Sequence, residues 1–167
     1  MTKIEGITKL DEIERLANRL MLKHNLPIAG WRFKFDMSKR RFGVCKYRSK
    51  TIGLSAPLCL LNDMANITDT ILHEIAHALV GNAHGHDWVW KQKALEIGCN
   101  GNRCYDSSEV VQPKGKYIAI CPSCNYTYNR YKQPIIGRKQ SCGKCSNGRF
   151  DINKLLVWEK NIQELTY

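Results

Sequence analysis

Residues 73–88 read HEIAHALVGNAHGHDW, and this stretch holds four of the chain's five histidines. It lies in a longer run, ITDTILHEIAHALV (67–80), where Ile71, Leu72, Ile75, Ala76, Leu79 and Val80 make most of the surface apolar, as in a helix packed into a core. On such a helix His73 and His77, four apart, share one face and can hand nitrogens to a single ion. Glu74 sits one residue round, beside that face rather than on it. The offset lets its carboxylate reach a water on the ion without ligating the ion. Zinc lowers the pKa of such a water to roughly 7, and Glu74 is placed to take its proton as a polarised carbonyl is attacked. The same carboxyl can then pass the proton to a leaving amine. Unpaired polar side chains on so apolar a helix are costly, and a metal satisfies them.

A catalytic zinc takes three protein ligands and keeps one place open. Gly81 lets the chain leave the helix and turn back, so His84 and His86 both come within reach. Glu96, with eighteen residues intervening after His77, is a further candidate. The spacing is not the metzincin HExxHxxGxxH, because Gly81 and His84 each come one residue later.

Outward from this stretch, residues 8–24 place Leu10, Ile13, Leu16, Ala17, Leu20 and Met21 three or four apart, an amphipathic helix that Asn25-Leu26-Pro27 ends. WRFKFD, FGVCKYR and TIGLSA are short alternating runs that predict a small antiparallel sheet. Trp31, Phe33 and Phe35 share one face there, and Arg32 and Lys34 the other. Pro57 opens a short helical turn through LCLLN. The motif helix, 67–80, starts near Asn66 or Thr68 and stops at Gly81, and a helix over 86–97 ends at Gly98. The turn-rich 98–116 reads as a linker, and the tail 151–165 carries Ile152, Leu155, Leu156, Ile162 and Leu165 at near-helical spacing.

Four of the eight cysteines form a second constellation. Cys121, Cys124, Cys142 and Cys145 give C-x2-C-x17-C-x2-C, the spacing of a four-thiolate zinc ribbon. Each CxxC makes a knuckle, with Gly143 suited to the tight turn. Four thiolates close the coordination shell, so this zinc is structural and supplies folding energy to a segment with little core of its own. Cys99 and Cys104 read as ordinary reduced cysteines. The expected cofactor content is therefore two Zn2+ per chain, one catalytic and one structural.

The chain carries 26 Lys and Arg against 15 Asp and Glu, a formal charge of +11. The densest basic stretch, 31–50, holds eight basic residues opposed only by Asp36. Arg32, Lys34, Lys39, Arg40, Arg41, Lys46 and Arg48, together with Arg130 of the alternating YTYNRYK, are the candidate contacts to a polyanion, with DNA the expected partner. Tyr126, Tyr128 and Arg130 share one face of that run and suit base stacking. No apolar run reaches membrane-spanning length, and the start carries acids where a signal peptide is apolar. The expectation is a monomeric, cytoplasmic protein, nuclear in a eukaryote, with no membrane partner.

TDTILHEIAHALVGNAHGHDWVW resembles the metalloprotease motif of the SprT-like (Spartan-type) family. Members carry HExxH on a helix and then a histidine in an H-G-x-x-[FW] segment that opens the next helix. His84-Gly85-His86-Asp87-Trp88 fits that segment, so the resemblance assigns the third ligand to His84, leaves His86 as a polar residue at the helix start, and makes Trp88 a core anchor. It implies an α+β, zincin-like minimal metalloprotease domain over 1–100, a linker over 101–116, and a four-cysteine zinc ribbon with its tail over 117–167. It further implies a DNA-activated endopeptidase that cleaves proteins bound or crosslinked to DNA, as in DNA–protein crosslink repair. The alternative is a nucleic-acid-binding adaptor with structural zinc sites and no protease activity. Glu74 argues against that alternative, since a structural site needs no base beside its ligands. A metallohydrolase with a non-protein substrate is the third reading.

Overall fold

A computed structural model describes residues 3–103 and 110–161. The chain divides into two units, residues 1–113 and 114–166. No helix among the described residues is long and apolar enough to cross a membrane.

The first unit opens with α1 (Lys3–Lys23), whose Ile13, Ala17 and Met21 are fully buried, as the apolar stripe requires. Three strands follow: β1 (Arg32–Asp36), β2 (Gly43–Lys46) and β3 (Thr51–Ser55). Their order is β1-β3-β2, with β1 parallel to β3 and β2 antiparallel to it. The sheet is therefore mixed, not antiparallel as expected. Alternation identifies a strand and its faces but carries no information on direction, and three successive runs suggest a meander. Here the link after β1 is folded on itself: Asp36 accepts the Ser38 N–H and the Arg41 guanidinium, and Phe42 drops into the core. That detour carries β2 to the far side of β3. The centre strand is buried at all five positions, as a strand flanked on both sides and covered by helices should be.

Ser55 ends β3 and caps α2 (Ala56–Leu61) by accepting the Leu58 N–H, with Pro57 in the first turn. The motif helix α3 runs Met64–Val80, three residues longer at its start than expected. Asp63 caps it by accepting the Asn66 N–H at 2.8 Å. Thr68 and Thr70 lie inside the helix, where each hydroxyl donates to the carbonyl four residues back. Gly81 terminates α3 with its N–H on the His77 carbonyl. α4 (Trp88–Glu96) begins at Asp87, whose carboxylate accepts the Trp90 N–H. Part of the expected linker is packed: Val110 is buried in the first unit's core, and Asn62 bonds both backbone groups of Val111.

The second unit is a three-stranded antiparallel sheet in the order β5-β4-β6, from β4 (Tyr117–Ile120), β5 (Thr127–Arg130) and β6 (Glu159–Lys160). The tail expected to be helical forms only a 3-10 turn, Ile152–Lys154, before β6. Leu156 is drawn instead to the Gln140 carbonyl and Leu155 bridges Ser141, so the segment is committed to extended pairing. Ile162, Leu165, and also Cys104, lie outside the described residues.

Candidate metal centres

α3 carries three functions around its circumference. Ile67, Ile71 and Ile75 face the core beneath the sheet, while Leu72 and Ala76 pack against Trp90 and Ala94 of α4. At about 100° per residue, His73 and His77 occupy the remaining side and Glu74 lies between them and the core stripe. The imidazole that joins them is that of His86. Its Nε2 lies 3.0 Å from His73 Nε2 and 3.1 Å from His77 Nε2, and the latter two are 3.3 Å apart.

A tetrahedral ion with zinc–nitrogen bonds near 2.0–2.1 Å places its nitrogens about 3.3 Å apart, so the three atoms fit one ion. Burial first, and then the neighbouring imidazoles, push the His73 pKa down to about 3 and the His77 pKa to about 4; burial lowers His86 as well. Neutral imidazoles present lone pairs, as metal ligation requires.

His84, to which the resemblance assigned the third ligand, is not in this group. Its Nδ1 lies 2.8 Å from Asp87 Oδ2, on the carboxylate that caps α4. The loop from Gly81 to Asp87 is short, and the cap draws His84 towards the start of α4. His86 is left on the inward side. Trp88 also departs from expectation. It is 72% exposed, whereas Trp90 is 1% exposed and contacts all three imidazoles, stacking on His77 with ring centres 5.2 Å apart. The Asp87 cap sets the phase of α4, and that phase turns the third helical residue inward rather than the first. Glu96 pairs with Lys93, away from the cluster.

Glu74 is buried beneath β2, 7% exposed. Burial pushes its carboxyl up to about 8, opposed by the charge of Arg41. Gly43 makes room for it: a Cβ there would lie 2.5 Å from Glu74 Oε1 and 2.8 Å from both Glu74 Cγ and Thr70 Cγ2. Gly43 escaped the sequence reading, although a glycine within a strand pattern marks close approach of something to the backbone. Gly43→Ala must displace the carboxylate, and a shift near 1 Å costs about 100-fold in rate where positioning matters. The expected result is that loss in turnover at an unchanged zinc content; full activity in Gly43→Ala would show that Glu74 needs no such seat.

The walls of the cleft, about 730 Å³, are completed by Cys45 and Tyr47 of the β2 side and by Asp69, Asn100, Asn102 and Arg103. The Tyr47 hydroxyl donates to the His77 carbonyl at 3.2 Å. Burial, then Cys45 and Glu74, push its pKa up to about 12, so it stays a neutral donor. Burial and Glu74 raise the Cys45 thiol equally far, which leaves it unreactive.

In the second unit the four sulfurs of Cys121, Cys124, Cys142 and Cys145 converge. Cys121 Sγ lies 3.6 Å from Cys145 Sγ, and Cys124 Sγ 3.6 Å from Cys142 Sγ. Zinc–sulfur bonds near 2.3 Å put tetrahedral sulfurs about 3.8 Å apart, so this cage too fits one ion. The Tyr128 hydroxyl reaches Cys142 Sγ at 3.1 Å and pulls that thiol down to about 6. Tyr128 is thereby committed to the knuckle rather than free to stack. The first knuckle turns through Asn125 and the second through Asn147 and Gly148, all with positive φ, which Gly143 lacks.

The SprT-like family model matches residues 11–109, more than half the chain and nearly the whole first unit. The chain belongs to the SprT-like family. No curated protein and no solved structure matches it. The family is associated with zinc metalloprotease-type domains, and this SprT-like chain presents a metalloprotease-like domain with a three-histidine group and, outside the matched span, a four-cysteine cluster compatible with a zinc ribbon.

The basic residues named from the sequence fall in separate places. Arg32, Lys34 and Lys46 surround one depression on the sheet, with Asp36 among them. Arg40 and Arg41 line the cleft, where Arg41 is held by Asp36 and donates to the Gly43 carbonyl. Lys39 is half-buried and Arg48 lies exposed in the turn between β2 and β3. Arg130, in the second unit, lies over the Trp158 ring at 4.8 Å.

Proposed function

We propose that this chain is a zinc-dependent endopeptidase acting on proteins bound or crosslinked to DNA. The observation that carries the reading is the convergence of three neutral imidazoles beside a buried carboxyl that is kept off their shared point. A zinc ion held there supplies a Lewis acid for the scissile carbonyl and a water of lowered pKa. Glu74 takes the proton from the attacking water and returns it to the leaving amine. Tyr47 is the neutral phenol available to the developing oxyanion.

A peptide substrate is favoured by the sheet edge. The Phe42 carbonyl accepts the Ser55 N–H, so by alternation the backbone groups of Cys45 point away from β3, along the free edge that borders the cleft. An extended chain can add there as a further strand.

DNA is favoured by charge and by rings. Residues 114–167 carry ten Lys and Arg against three Asp and Glu. Lys144 lies over the Tyr126 ring at 4.3 Å, and Arg130, Arg138, Lys139 and Arg149 surround a depression with Phe150 and Trp158. Cations interleaved with aromatic faces suit phosphates and unstacked bases.

The test is to incubate the protein with a DNA-binding protein substrate, with and without DNA and with and without a chelator. Fragments are expected only with DNA present and zinc retained. Fragmentation that ignores the chelator overturns the zinc reading. DNA binding without fragmentation under any condition makes the chain an adaptor.

A further inference from the structure

We infer that Asp69 is a positioning residue for the first metal centre, acting through the segment that follows α4 to hold His73 in the tautomer that ligates through Nε2. The inference rests on the zinc reading of the three-histidine group and names a residue outside it.

His73 turns Nε2 towards His77 and His86, which leaves Nδ1 for another partner. The partner is the backbone of Asn102, which accepts a hydrogen bond from this imidazole. A ligating histidine whose other nitrogen donates to a carbonyl is fixed in tautomer and ring orientation and is a stronger base towards the metal. Nothing in α3 or α4 supplies that carbonyl. It comes from a segment that must be brought back across the cleft and held.

Asp69 does the holding. It lies one turn before His73 on α3, and its Oδ1 accepts the Asn100 N–H at 2.7 Å. The Asn100 side chain in turn accepts the Asn102 N–H at 2.7 Å, closing a turn through Gly101 at φ 71°. The Cys99 thiol also bonds Asp69, and Cys99 is buried with Trp90 and Ala94. Asp69, Asn100 and Asn102 thus form a chain of hydrogen bonds that starts and ends on the same helix, four residues apart. A carboxylate bond to a backbone N–H is charge-assisted and directional, and therefore suited to fix a loop in register.

The experiment measures zinc affinity of the first site in the full-length protein by chelator competition, with the ribbon zinc as internal reference. Asp69→Ala is expected to weaken the first site about 10–100-fold, the usual effect of removing an outer-shell partner. Asp69→Asn keeps an acceptor oxygen and is expected to stay within about threefold of wild type. Equal affinity in Asp69→Ala and wild type overturns the inference while leaving the zinc reading intact, and an Asp69→Asn as weak as Asp69→Ala also overturns it. Absence of first-site zinc in wild type sinks the zinc reading itself. A second measurement needs no variant: in 15N-imidazole spectra of the zinc-bound wild type, His73 is expected to ligate through Nε2 and to carry a slowly exchanging Nδ1 proton. Ligation through Nδ1, or a freely exchanging proton, overturns the inference even if Asp69→Ala fails to fold.

Discussion

His86→Ala is expected to leave one zinc per chain, while His84→Ala keeps two. The three Nε2 atoms that lie within 3.3 Å of one another belong to His73, His77 and His86, and removing one ligand of three leaves an ion with two imidazoles and open water. His84 makes a partly exposed pair with Asp87, and such a pair contributes only ~0–1 kcal/mol. Its loss should trim stability slightly and leave the metal in place, because Asp87 still caps α4 through the Trp90 N–H. Metal content by mass spectrometry under native conditions reads both variants at once. Two zinc in His86→Ala and one in His84→Ala would return the third ligand to the residue that the family pattern assigns.

Glu74→Gln is expected to lower turnover by about 10²–10⁴-fold, the usual contribution of a general acid–base, with both zinc ions retained. Glutamine matches glutamate in shape and fits the space beneath β2 that Gly43 leaves, but it cannot take a proton. The loss should fall on kcat, since Glu74 lies on the helix side of the cleft and contributes nothing to the sheet edge that binds a peptide. Paired with the histidine variants, the result separates two roles that proteolysis alone confounds. An inactive Glu74→Gln that has also lost zinc would make the carboxylate a ligand; an active one would place the base elsewhere.

Periodicity accounts for what was legible in the sequence. The stripe Ile13, Ala17 and Met21 is buried as its spacing requires, and Phe33 turns inward while Arg32 and Lys34 turn out. A helix or strand sets its side-chain directions locally, so those phases follow from a few neighbouring residues. The HExxH pair and the two CxxC pairs are legible for the same reason, since each pair is brought together by one turn of backbone.

Helix starts were less legible because Asp63, Asn66 and Thr68 are all capable caps, and the threonines satisfy their hydroxyls inside α3 instead. The departures at His84 and Trp88 share one origin. Both depend on where Asp87 caps α4, and a shift of one or two residues there exchanges the inward and outward sides.

By itself, then, the amino-acid sequence determined the donor sets, the helix bearing His73, Glu74 and His77, and the thiolate cage of residues 121–145, because their spacings are short and local. Tertiary structure alone decided that β1 runs parallel to β3, that His86 rather than His84 meets the motif pair, that Trp90 lies beneath them, and that Glu74 sits under Gly43. Those outcomes depend on groups distant along the chain meeting in space, where a loop's length and a cap's geometry choose between residues of the same type.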